Sequence, residues 1–181
     1  MPEVAEKANP SVLSRQPNIV LVQAGSNDIF GNFSTATAHL RMGNLIDGIL
    51  AKVPLAVVLV GGLYPQADAR WTAAFDSVNG NIRALVARKK AAGQAVDFVD
   101  FRAGFVPSDL GDGTHPTDAG YLKQGARFYD AIVAHQAWIM EPVDTGASDY
   151  VDESRGKSGC DKVQASILMS GFATLMALIL L

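Results

Sequence analysis

Two short clusters in this sequence hold side chains that can do chemistry. The first is Gly25-Ser26-Asn27-Asp28 and the second is Asp112-Gly113-Thr114-His115-Pro116. In the second, a histidine three residues after an aspartate can be oriented by it. The carboxylate accepts the Nδ1–H, fixes the tautomer and stabilises the imidazolium, which leaves Nε2 to act as a base. In the first, a side-chain amide just past a buried strand can donate to an oxyanion as it develops. Each cluster also has a plain reading. Asp and His are common turn and cap residues beside Pro, and Asn-Asp suits an Asx-turn. Taken singly, each is better read as a turn.

The elements around them give the clusters a common place. Asn18–Ala24 is a continuous apolar run rich in β-branched residues, as expected of a parallel strand buried on both faces. A polar loop over 25–35 follows it. Met42, Leu45, Ile46, Ile49, Leu50 and Val53 recur at helical spacing, and Pro54 ends that helix. Leu55–Val60 predicts a second buried strand. Trp71, Phe75, Val78, Ile82, Leu85 and Val86 predict a second helix, with Gly93 as its stop. Ala95–Phe101 predicts a third strand. A Gly- and Asp-rich loop leads to His115, and a last helix from about Thr117 turns Leu122, Ala126, Tyr129, Ile132 and Val133 inward. Strand and helix alternate, so the fold class is α/β: a three-layer α/β/α sandwich with a parallel sheet, flavodoxin-like in plan. Both clusters then lie beyond the carboxyl ends of strands, where such sheets bind ligands.

Together and in this order, the clusters resemble two sequence blocks of the SGNH (GDSL-like) hydrolases. Gly25-Ser26-Asn27-Asp28 resembles their Gly-x-Asn-Asp block, and Asp112 to Pro116 resembles their Asp-x-x-His-Pro block. The likeness runs from about Asn9 to His135 and points most to carbohydrate esterase family 3, a branch that includes acetylxylan esterases. It implies an ester hydrolase that needs no cofactor, with acetylated carbohydrate or another small ester as substrate. It implies Asn27 as oxyanion donor, His115 as base and Asp112 as the acid that orients it, with Gly25 and Asp28 as framework positions. It also exposes a departure. The family nucleophile is a Ser in a Gly-Asp-Ser block upstream, and no Gly-Asp-Ser occurs in these 181 residues. Ser11 and Ser14 lack that context, and Ser26 fills the variable position of its block, so the chain has no assigned nucleophile. The expectation is an N-terminally truncated domain with its first strands missing, which leaves one edge of the Asn18–Ala24 strand open.

Composition sets the remaining limits. The net charge of -3 gives no basic footprint for nucleic acid. A single cysteine, Cys160, excludes an internal disulfide. No metal-binding motif is present; Asp109 and Asp112 near His115 are the lesser candidates for a cation. His39 and His135 read as surface or cap residues, Trp71 and Trp138 as packing residues. The loop Tyr64–Asp68 reads equally as a groove wall or as a connection. The N-terminus has no apolar stretch of the kind a signal peptide needs. Residues 1–140 read as the hydrolase domain, 141–164 as a polar stalk and 165–181 as a hydrophobic tail. That tail is marginal for a span, which needs about 20 apolar residues, and suits a removable anchor signal with Ser158 or Ser154 as the attachment site. A complete version is therefore expected outside the cell or at its surface, with membrane association through the tail. Two other readings compete: a non-catalytic, membrane-displayed carbohydrate binder, and a nucleotide binder. For the second, Gly25 to Asp28 is too short and too acidic to cradle phosphate.

Overall fold

The computed structural model describes residues 15–141 and the backbone of 176–180. Strand β1, Ile19–Gln23, is buried along its whole length. Its side chains alternate between two cores. Val20 and Val22 join Val58 and Val60 in one, and Ile19 and Leu21 join Val57 and Leu59 in the other. A strand apolar on both faces is stable only between two covering layers, and this sheet has them.

A short helix α1, Ser26–Phe30, follows β1 directly. Helix α2, Ala38–Lys52, buries Met42, Leu45, Ile46 and Ile49. Strand β2, Val57–Gly61, is buried throughout. Helix α3, Thr72–Ala91, buries Phe75, Val78, Ile82 and Val86 on the same core as α2. Strand β3, Val96–Val99, then leads through the His115 loop to helix α4, Asp118–Ala134. All pairings are parallel, with Val20 opposite Val58 and Val58 opposite Val96. The steps from β1 to β2 to β3 run in one direction, so right-handed crossovers put α2 and α3 on one face. Helix α4 carries Phe128 into the opposite core, beside Tyr64, Phe101 and Phe105.

The sheet has a fourth strand. Met176–Leu180, β4, pairs in parallel with β1, from Ile19 opposite Met176 to Gln23 opposite Leu180, so the order is β3-β2-β1-β4. This corrects the expectation that the outer edge of β1 is left open. It also moves five residues of the expected hydrophobic tail into the sheet. An apolar run satisfies its backbone as well by strand pairing as by a membrane helix, and among the described residues no helix is long and apolar enough to cross a membrane. The proposed attachment residues Ser154 and Ser158, with the stalk, lie outside the described residues, as do Ser11 and Ser14.

Three further expectations change. The loop over 25–35 contains α1. Strands β2 and β3 are shorter than their apolar runs, because Leu55 is exposed and Phe101 has already left the ladder for the second core. The face of α4 is also shifted. Leu122, Ala126, Tyr129 and Val133 are exposed, Ile132 is partly buried, and the helix instead buries Gly120, Gln124 and Phe128. We therefore expect Phe128→Ala to cost about 3–5 kcal/mol in urea unfolding, as for a buried aromatic. Leu122→Gln should stay within about 0.5 kcal/mol of the parent. Equal losses would restore the inward reading of Leu122.

Candidate active site

The Asn27 side is built by the end of β1. Gly25 turns the chain with φ near 130° and caps α1. Asn27 is the second residue of that helix and is exposed; its amide has no hydrogen-bond partner among the described residues. Beside it Asp28 is buried and binds Arg41 Nη2 at 2.9 Å. The same guanidinium donates to the Phe33 carbonyl at 2.9 Å and to Thr37 Oγ1 at 2.9 Å, and it lies over the Phe33 ring. Arg41 thus ties the α1 turn to α2. Asp28, implied by the resemblance as a framework position, is buried and spent on this ion pair. Ser26 opens α1, and its hydroxyl faces no base among the described residues.

The His115 side is a closed loop between β3 and α4. Asp112 Oδ1 accepts from the backbone N–H of Thr114 at 2.9 Å and of His115 at 2.7 Å, while Oδ2 sits 2.7 Å from His115 Nδ1. Gly113 makes this wrap feasible: its φ of +85° is strained for any residue with a Cβ. The His115 N–H, then the imidazole, then the Thr114 N–H hold the Asp112 carboxyl well below the usual carboxylate range. The loop is closed at its base. Gly111 N–H donates to the His115 carbonyl at 2.8 Å, and Thr117 N–H donates to the Asp109 carbonyl at 2.7 Å. Gly120 lets α4 press in, since a Cβ there would lie 2.5 Å from the Asp109 carbonyl oxygen. On the other flank Ala67 N–H donates to the Gly113 carbonyl at 3.1 Å, so the loop after β2 braces the His115 loop.

Asp109 has a different task. Its buried carboxylate accepts from Lys123 Nζ at 2.7 Å and from Val106 N–H at 2.7 Å, the Lys123 bond lowering its pKa most. It is committed to holding the loop base and is not a spare partner for His115. Among the described residues no group of three or more His, Cys, Asp or Glu could hold a metal ion.

Sequence reasoning missed a buried polar layer beneath the site. Gln23, the last residue of β1, donates to the Gly62 carbonyl at 2.9 Å and accepts from Gln124 of α4 at 3.3 Å. Gln23 also meets the Tyr64 hydroxyl, whose pKa burial pushes up. The available signal was a glutamine inside each of two apolar patterns. His135, read as a surface or cap residue, does cap α4, and its Nε2 lies 2.7 Å from Asp97.

The structure thus brings Asp112 and His115 into contact and sets Asn27 at the same end of the sheet. It shows an imidazole oriented through Nδ1 by a carboxylate, and an exposed side-chain amide, at the mouth of a parallel sheet. Both members of the pair are open, with side chains 75% and 61% exposed, and no hydroxyl faces His115 Nε2 among the described residues.

The fold is that of the SGNH-type hydrolases, and the chain belongs to the GDSL-like Lipase/Acylhydrolase family, whose profile matches residues 2–123. Three similar proteins sharpen this. A Clostridium thermocellum family 3 carbohydrate esterase superposes with a TM-score of 0.65 at 27% identity, over 77% of this chain and 68% of its own. A carbohydrate esterase family 3 structure from Talaromyces cellulolyticus gives 0.64 at 23% identity, over 75% and 67%, and shows the shared fold. The Acetivibrio thermocellus protein named "Putative endoglucanase X" is 26% identical over 190 aligned positions, covering 99% of this chain and 80% of its own.

The Asp112 geometry yields a pH expectation. Its pKa is depressed in the folded chain, so the stabilisation it confers is present above the ordinary value of 3.8 and is lost as pH falls through the lower folded value. A carboxyl-carbon NMR titration should place the Asp112 midpoint clearly below 3.8, and Gly113→Ala should raise it by loosening the wrap. A midpoint at or above 3.8 would contradict the assignment.

Proposed function

We propose that the site serves carboxylic ester hydrolysis, most naturally removal of O-acetyl groups from polysaccharide, and that this chain supplies the base, the acid that orients it and the side-chain oxyanion donor, but neither the nucleophile nor the backbone N–H donor of the family's second block. The observation that carries this is the Asp112–His115 pair. One carboxylate takes the imidazole Nδ1 and two backbone N–H groups, so Nε2 points outward as a base in a fixed tautomer. Asn27 beyond β1 offers the amide donor. The likeness to a family 3 carbohydrate esterase supports the carbohydrate substrate, and that substrate in turn supports an extracellular setting.

With a serine in place, His115 Nε2 takes the hydroxyl proton as the oxygen adds to the ester carbonyl. Asn27 Nδ2 donates to the oxyanion. The C–O bond to the sugar breaks, and the sugar oxygen leaves with the proton from His115. Water then repeats the sequence on the acyl-serine and releases acetic acid. Among the described residues nothing near His115 can replace this double role.

Purified as given, the chain should neither hydrolyse an activated acetate ester nor bind a fluorophosphonate. Stoichiometric labelling of Ser11, Ser14 or Ser26 would overturn that. In a longer version with an upstream strand ending in Gly-Asp-Ser, His115→Ala should lower kcat on the order of 10³-fold or more. Asn27→Ala should cost about 2.7–4 kcal/mol in the transition state, mostly in kcat, because the charge it meets exists only during reaction. Wild-type kcat in His115→Ala would remove the mechanism.

A further inference from the structure

Strand β2 lies between β1 and β3, so the loop that leaves its carboxyl end lies between the Asn27 and His115 sides of the mouth. At Ala67 this loop donates its N–H to the Gly113 carbonyl of the His115 loop at 3.1 Å. Four residues on, the Trp71 ring meets Phe30 of α1 edge to face, with centroids 5.0 Å apart. Ala67–Trp71 therefore spans the mouth from one side to the other. Phe30 follows Asn27 by three residues, so both side chains lie on one face of α1; Asp28 and Ile29 take the buried face. Phe75 backs the Phe30 ring from the core at 5.5 Å, yet Phe30 stays 36% exposed. Trp71 is half-buried, and its indole N–H makes no hydrogen bond among the described residues. Between Ala67 and Trp71, Arg70 Nε and Nη2 both donate to Asp68 Oδ2, at 2.8 and 2.5 Å, and both side chains are open to solvent. Exposed pairs of this kind add little stability, and a single exposed ring needs no explanation. An aromatic pair held from behind, an unspent indole N–H and a fixed charged pair, all on one strip beside the site, make a ligand surface: apolar area with a few placed polar groups.

We propose that Phe30 and Trp71 form a platform for a pyranose ring of a polysaccharide backbone, a neighbour of the acylated ring, and that Asp68 and Arg70 bond its hydroxyls. The choice of a sugar chain as occupant rests on the ester-hydrolase reading of Asn27, Asp112 and His115. A pyranose offers a C–H face to an aromatic surface and a rim of hydroxyls to donors and acceptors. Trp71 supplies ring and donor together, which is the use an amphipathic indole has at a wet interface. Asp68 Oδ1 already accepts from Arg70 N–H at 2.9 Å, so the carboxylate and the guanidinium are held in place before a ligand arrives. The platform borders Asn27, so a chain lying on it passes the site, whereas a small ester reaches the site without touching it.

The test uses the full chain with xylohexaose and cellohexaose, neither of which carries an ester. The sequence has two tryptophans, and Trp138 packs on His135 beyond the end of α4, so it serves as an internal control. In proton–nitrogen NMR spectra, at least one hexasaccharide should move the Trp71 indole signal saturably and leave that of Trp138 in place, with the two signals assigned by Trp138→Phe. Phe30→Ala should weaken that binding on the order of tenfold, as for an aromatic anchor of a contact surface. Because Phe30 also touches the core and its truncation can unfold the chain, Arg70→Ala, a change at an exposed side chain, gives the second variant and should weaken binding several-fold. A saturable Trp71 shift that both variants reduce supports the platform. No Trp71 shift with either sugar, equal shifts at both indoles, or unchanged affinity in folded Arg70→Ala and Phe30→Ala overturns it. Binding at Trp71 in a protein that fails the ester-hydrolase tests keeps the platform and removes that reading. Ester hydrolysis by the longer version, with no Trp71 shift here, does the reverse.

Discussion

Strand β1 is buried on both faces, so every N–H and C=O along it must find a partner in the plane of the sheet. Only a strand on each side can supply them. Strand β2 does so on one edge and β4 on the other. With β1 so fixed, Gly25 has a defined point from which to turn, α1 has a defined start, and Asn27 stands at the carboxyl end of the sheet. Arg41 then locks the turn through Asp28. The position of the Asn27 amide is thus set by the backbone pairing of the strand that precedes it.

The His115 imidazole is positioned by different means. Its loop leaves β3 with no ladder to hold it, and a single carboxylate organises the tip through three hydrogen bonds. A second carboxylate, Asp109, organises the base of the loop through Lys123 and Val106. Three residues apart in sequence, the two aspartates divide the work: one orients the imidazole and the other anchors what carries it. The Gln23–Gln124 contact joins the halves beneath, tying the last residue of β1 to the helix that follows His115.

Much of this was legible in the residues. The β-branched run at 18–24 is buried on both faces, and the apolar stripes of α2 and α3 point where their spacing said they would. The Asp112–His115 contact was legible from two residue types at one spacing. The misreadings have physical causes. On α4, two faces compete: Leu122, Ala126, Tyr129 and Val133 form the more apolar one. The buried one runs through Gly120 and Gln124, whose value lies in close approach and a buried hydrogen bond rather than in apolar area. For 176–180, composition states that the segment avoids water, not whether it avoids it in a bilayer or at a sheet edge. Only the unpaired side of β1 distinguishes the two, and that is a property of the fold.

The β1–β4 pairing also orders events in time. The outer partner of strand β1 is more than 150 residues behind it in the chain. At about 5–20 residues per second, translation leaves that edge bare for seconds after the rest of the domain can collapse. Contacts of such high sequence separation also form slowly by themselves. The nascent chain must therefore carry an apolar, unsatisfied strand through the most crowded stage of its life. Chaperone demand during synthesis, more than the stability of the finished fold, is then set by how late residues 176–180 arrive.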